Sequence, residues 1–169
     1  MKKTKLFFAA IAIFSIAYTT QSCQDPTPEP TEFIADNSTF ANFTNWELAA
    51  TNVGPSPSLG AAHAGNDSTV TRKIYYKDAQ APVDGVYPVG TVIVKHSANP
   101  AGTVAEYTGM VKRGNSFNPS HNDWEWFMLE SNGNIATDSS GAEMRGANLM
   151  NGMCNNCHSV ATTDYSFSK

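Results

Sequence analysis

The run Cys154-Asn155-Asn156-Cys157-His158, near the end of the 169-residue chain, constrains its structure more than any other feature. Two thiols three positions apart on one helical turn can each add to a vinyl group of the same porphyrin. The adjacent imidazole can then bind the iron axially. The spacing predicts a covalent haem c, with Cys154 and Cys157 holding the ring and His158 the metal. Such a chain must also build an apolar pocket around a large flat group. Three other readings stay open. A thioredoxin-like couple would follow a strand early in a βαβ unit, and this pair sits at the other end of the chain. A structural zinc site wants four ligands, and the only other cysteine is Cys23. A plain disulfide would leave His158 incidental.

The N-terminus predicts export. Lys2, Lys3 and Lys5 precede an apolar stretch over 6–18, too short to span a bilayer as a helix. Two cleavage sites fit: Ser15-Ile16-Ala17, releasing a soluble protein, or Ser22-Cys23, making Cys23 a lipidated first residue. The lipoprotein reading is preferred because it accounts for the third cysteine, although Thr20 stands where a leucine-like residue is usual. Residues 1–23 are thus read as a signal peptide and 24–36 as a Pro-rich linker. Residues 37–169 are read as one domain. The expected location is the periplasm or the outer membrane, the lipid at Cys23 being the membrane contact.

Without the signal segment, 8 basic residues face 15 acidic ones, with no basic cluster. That balance excludes nucleic acid as a partner. Three Trp, six Tyr and nine Phe suit core packing, and a haem pocket needs the same large apolar side chains.

The expected fold class is α+β, mainly an antiparallel, curved β-sheet with an N-terminal helix and a C-terminal haem-bearing helix. Asp36 or Ser38 caps a helix running to about residue 50, with Phe40, Phe43 and Leu48 on its apolar side. Residues 51–67 read as loop. Strands are expected over 70–77, 91–96, 104–112 and 124–130, joined as an antiparallel meander. Alternation puts Val92 and Val94 on one face of the second strand, and Thr91, Ile93 and Lys95 on the other. Trp124, Trp126 and Met128 share one face of the fourth, Phe127 and Leu129 the opposite one. A helix over 141–157 then delivers the haem run, with Met144, Leu149, Met150 and Met153 as contacts. The haem is expected between sheet and helix. By pattern alone, Lys95 is either an exposed strand end or a group aimed at a pocket.

The ordered set of segments in the last hundred residues resembles the cytochrome P-460 family and its relative cytochrome c′-beta. Thr69-Val70-Thr71-Arg72-Lys73-Ile74-Tyr75-Tyr76 resembles the first core strand. Tyr87-Pro88-Val89-Gly90-Thr91-Val92-Ile93-Val94-Lys95 resembles the second. Met110-Val111-Lys112-Arg113 and Asn122-Asp123-Trp124-Glu125-Trp126 resemble the next pair. The haem run with Thr163-Asp164-Tyr165-Ser166-Phe167 resembles the closing segment.

The resemblance implies a five-coordinate iron, His158 proximal and an open distal site. It implies that Lys95 bonds to the porphyrin edge, tuning the iron to oxidise hydroxylamine to nitrous or nitric oxide. In the c′-beta relatives the haem lacks that function and binds nitric oxide or carbon monoxide. One departure bears on the enzymatic reading. The family's distal glutamate, a proton relay, aligns with Thr108. Glu106, on the same strand face, lies about 6–7 Å along the strand. Lys95, Glu106 and Thr108 are therefore the candidate catalytic residues. The alternative is a non-catalytic gas-binding or electron-transfer haem protein. Expected partners are a small nitrogen compound or gas and a redox partner protein, with a homodimer left open.

Other candidates are secondary. His63, His96 and His121 are the available second axial ligands. His63 lies in a loop of small residues, His96 points away from Lys95, and His121 sits in a polar turn. Arg145 is a candidate partner for a haem propionate, or else a solvated residue. Asp164 reads as a turn cap. No Ser-His-Asp set, phosphate loop or catalytic carboxylate pair is present.

Overall fold

Period-two alternation over four successive segments builds the centre of the molecule. The computed structural model describes residues 31–167, so the segment read as a signal peptide, Cys23 and most of the stretch read as a Pro-rich linker lie outside the described residues. Six strands form one antiparallel sheet in chain order: β1 (Glu47–Val53), β2 (Thr71–Tyr76), β3 (Val92–Ala98), β4 (Ala105–Lys112), β5 (Trp124–Leu129) and β6 (Arg145–Gly146). One helix, α1 (Met153–His158), follows. The protein is α+β and mainly sheet, and the expected meander is present. No helix among the described residues is long and apolar enough to cross a membrane.

Both faces of the sheet are covered, which is why β3 and β5 read as nearly continuous apolar runs. On one face Val92, Val94, Val111, Phe127 and Leu129 pack with Phe40, Phe43 and Ala35 from the N-terminal segment. On the other, Ile74, Tyr76, Ile93, Met110, Trp124 and Trp126 pack with Tyr87, and Leu149, Cys154 and Tyr165 cover them from the C-terminal side. The faces expected for β3 and β5 are those observed.

The expected N-terminal helix does not form. Asp36 is a cap as predicted: its Oδ1 accepts from Thr39 N at 3.1 Å, and Thr39 Oγ1 accepts from Asp36 N at 2.9 Å. The turn it starts is a short 3₁₀ turn, Asn37–Phe40, followed by a second, Phe43–Asn45. Asn, Ser and Thr here compete with the backbone for hydrogen bonds, and Asn42 breaks the helix in the left-handed region at φ 55°. The remainder pairs as β1 with β2, Glu47 opposite Tyr76. Phe40 and Phe43 are buried as expected, whereas Leu48 is exposed. Packing also begins within the stretch read as linker. Glu32 bridges to Gly114, and Phe33 N donates to Arg113 O at 2.8 Å.

Of the expected helix over 141–157, only α1, Met153–His158, is α-helical, after a 3₁₀ turn over Leu149–Gly152. Gly146 and Gly152 take φ of 135° and 78°, values that admit glycine and interrupt a helix. Arg145–Gly146 instead pairs with β5, Arg145 opposite Phe127.

Candidate cofactor site

Between the Trp126 face of the sheet and α1 lies a cavity of about 140 Å³, open at its mouth. Its lining includes Ile74, Ile93, Met110 and Trp126 from the sheet and Met150 and Met153 from the C-terminal segment. Such a concave, mostly apolar space with few polar groups is the usual form of a ligand site. Cys154, Cys157, His158, Lys95, Glu106 and Thr108 all line it. A second hollow continues past His63 and Lys95 to Arg72.

Asn155, within the Cys-x-x-Cys-His run, anchors α1 to the sheet. Its Oδ1 accepts from Trp126 Nε1 at 2.7 Å and from Asn118 Nδ2 at 3.2 Å. Its Nδ2 donates to Ala147 O at 2.7 Å. This buried amide sets the helix so that both thiols reach the cavity. Both cysteines are free, Cys154 half-buried and Cys157 exposed. Burial, chiefly, raises the Cys154 pKa.

His158 is held in one tautomer. Its Nδ1 lies 2.7 Å from Tyr165 O, so Nδ1 carries the proton and Nε2 the lone pair. Its ring lies 4.7 Å from that of Trp126 and 5.3 Å from that of Phe167. Burial pushes its pKa down to about 4, against the opposing effect of the Tyr165 hydrogen bond, and Lys95 and His63 push the same way as burial. A neutral imidazole donating Nδ1–H to a carbonyl is what an iron or zinc ligand requires.

The Tyr165 carbonyl is itself placed by Asp164. That buried carboxylate accepts from Lys112 Nζ at 2.7 Å, Tyr87 N at 2.8 Å, Asn122 Nδ2 at 2.9 Å and Trp124 Nε1 at 3.3 Å. Asp164 is thus the hub of a buried network, a larger role than the turn cap expected.

Lys95 and Thr108 are direct cross-strand partners, and Glu106 stands opposite Ser97. Lys95 is half-buried. Burial lowers its pKa to about 8, Glu106 opposing the shift and Arg72 reinforcing it. For Glu106, burial acts upward, but the His63 hydrogen bond and the charges of His63 and Lys95 outweigh it, so its pKa is lowered.

The Lys95 shift has a stability consequence. At pH 7 the folded chain holds a half-buried ammonium. Between pH 8 and 10.5 the unfolded chain keeps its proton while the folded chain loses it, so stability rises with pH in that window. Lys95→Met is expected to stabilise the haem-free chain by about 1–3 kcal/mol at pH 7, with the gain gone near pH 10.5. Urea unfolding at the two pH values checks this. An equal gain at both would contradict it.

Arg145 does not reach the cavity. It lies on the other face, with Nε 2.8 Å from Glu125 Oε1, Nη1 2.7 Å from Ala35 O, and its guanidinium over Phe127 at 4.7 Å. It ties the N-terminal segment to the sheet, because Glu125 is buried there and needs a cation. Arg145 lines neither hollow, so the geometry does not support the expected propionate role. The guanidinium on the cavity side is that of Arg72. His96 stacks on Tyr107 on the far face, with ring centres 4.3 Å apart, as its alternation required. His121 bonds Asn118 in its turn.

Among the described residues, no group of three or more His, Cys, Asp or Glu is placed to hold a metal ion. A haem iron needs no such group, since the porphyrin supplies four nitrogens. No protein-family model, curated protein or solved structure matches the chain.

Proposed function

We propose that the chain is an exported mono-haem c-type cytochrome of the P-460 kind, which handles small nitrogen compounds at its iron. The observation that carries the reading is the convergence of Cys154, Cys157 and a single-tautomer His158 on one apolar cavity. Cys154 Sγ and Cys157 Sγ would carry the thioether links, and His158 Nε2 would hold the iron. When bound, the haem would supply a redox-active iron at which hydroxylamine or nitric oxide can sit. The aromatic and methionine lining excludes water from that face. Thr108 offers a hydroxyl beside Lys95. Glu106, ionised at pH 7, accepts protons and does not deliver them. Export and an anchor at Cys23 belong to the same proposal, as do a redox partner protein and the P-460 resemblance.

Lys95 supports the hydroxylamine-oxidising reading. A lysine with its pKa near 8 on the cavity wall keeps a usable fraction of free amine, which bonding to a porphyrin edge requires. In protein from a host that matures c-type haem, a protease digest is expected to yield one cross-linked species joining the Lys95 and Cys154–Cys157 peptides. The ferrous Soret band should lie well to the red of an ordinary haem c. Separate peptides with an ordinary ferrous spectrum would favour the second reading, a gas-binding or electron-transfer haem protein. A specific observation supports that second reading too: a second histidine faces the same cavity.

A further inference from the structure

His63 and Glu106, which are 43 positions apart, meet at the cavity, His63 Nδ1 3.1 Å from Glu106 Oε1. His63 is presented there by the loop 54–70 between β1 and β2. Two consecutive residues of that loop, His63 and Ala64, take φ of 50° and 53°. Few non-glycine residues occupy this left-handed region, histidine more often than alanine, and such strain persists only where the surroundings enforce it. The enforcing group is Arg72, a buried side chain at 3% exposure. Its Nη2 donates to Gly54 O at 2.5 Å and its Nη1 to Ala64 O at 3.4 Å. One guanidinium therefore ties the first residue of the loop to Ala64, next to the histidine, and holds that histidine at the cavity wall.

Glu106 as a carboxylate can only accept, so His63 donates through Nδ1. In the neutral ring its Nε2 then carries the lone pair, as in His158. The two rings lie with centres 6.4 Å apart and planes at 85°. Two imidazoles on opposite sides of one metal have nitrogens about 2 Å from it and ring centres about 1.1 Å further back, placing the centres ~6.2 Å apart. That spacing alone would also suit two packed aromatic rings. Packing does not require the rest. Each ring has its Nδ1–H committed to an oxygen acceptor, the arrangement that orients a metal-binding histidine and raises its basicity.

We propose that His63 is the second axial ligand of the iron held by His158, with Glu106 as the residue that orients it. The proposal rests on the haem reading above and changes its distal side from open to closed. Glu106 is then occupied with His63 and is not a proton relay. A gas or small nitrogen compound reaches the iron only by displacing His63. The resting protein is suited to electron transfer or to a ligand-gated response.

The test uses full-length holoprotein matured with haem c. The wild-type ferric protein is expected to be six-coordinate and low-spin by absorption and electron paramagnetic resonance. His63→Ala should become high-spin, and added imidazole should restore the low-spin spectrum. Ferrous His63→Ala should bind carbon monoxide at least about tenfold more tightly than wild type, because only the fraction with His63 off the iron is competent. Should the alanine variant fail to fold, His63→Met is expected to move the ferric near-infrared charge-transfer band to that of a thioether-ligated iron. A high-spin wild type with haem attached would overturn this inference alone. So would a His63→Ala protein that keeps the wild-type low-spin spectrum, which would hand the position to Lys95 or another group. Failure to attach haem at all would overturn the reading beneath it, and the intact mass separates these outcomes.

Discussion

Asp164→Ala is expected to lower the Tm by about 10 °C or more, the largest effect of any single substitution outside the sheet core. The substitution leaves the Lys112 ammonium buried without its counterion, and breaking a buried pair this way costs about 3–5 kcal/mol. It also strips acceptors from the Asn122 amide and the Tyr87 N–H, while the Trp124 indole keeps the Asp164 backbone carbonyl at 2.8 Å. Asp164 and Tyr165 both have positive φ, 41° and 62°, so the same bonds hold a strained turn in place. The damage should reach the cavity, because that turn presents the carbonyl that accepts from His158. Asp164→Asn keeps an acceptor but not the charge, and should fall between wild type and alanine. Thermal unfolding of the three proteins decides the matter. An alanine variant within 2 °C of wild type would refute the network's role.

Replacing Cys154 and Cys157 together by serine is expected to abolish covalent haem attachment completely. The argument is chemical: a thioether to a vinyl group needs a thiol, and the only other cysteine of the chain, Cys23, is the expected lipidation site. The fold should survive. Cys157 is exposed and serine is nearly isosteric, so the thermal midpoint of the haem-free variant should fall by no more than about 5 °C relative to haem-free wild type. Intact mass reports attachment and circular dichroism reports the fold. A haem-sized increment persisting on the double variant would mean the cysteines are not what holds the ring.

Much of this architecture could be read before any coordinates. In β3 and β5 alternate side chains go to opposite covered faces, so Val92 and Val94 separated cleanly from Ile93 and Lys95. The Cys-x-x-Cys-His run is local and is legible by its spacing alone. What was hidden depended on distance along the chain. The helices expected over 36–50 and 141–157 gave way to strand pairing and to Asn and Gly residues whose backbone signs a periodicity count does not weigh. Arg145 was misassigned because its partners, Ala35 and Glu125, lie 110 and 20 positions away. Asp164 looked like a turn residue because Lys112, 52 positions earlier, meets it only in the fold. Asn155 carried no signal of its own, as one of the two unspecified positions between the cysteines. His63 was visible as a loop histidine, but its pairing with Glu106 was not.

The most direct measurement is the intact mass of the wild-type chain, made in a host that matures c-type haem, together with its pyridine haemochrome spectrum. The account predicts one haem per chain, retained under denaturing conditions, with the haemochrome of a ring whose vinyl groups are saturated. A chain of unmodified mass with no Soret band, from a host that matures a control cytochrome, would contradict it and return Cys154 and Cys157 to a dithiol or disulfide role.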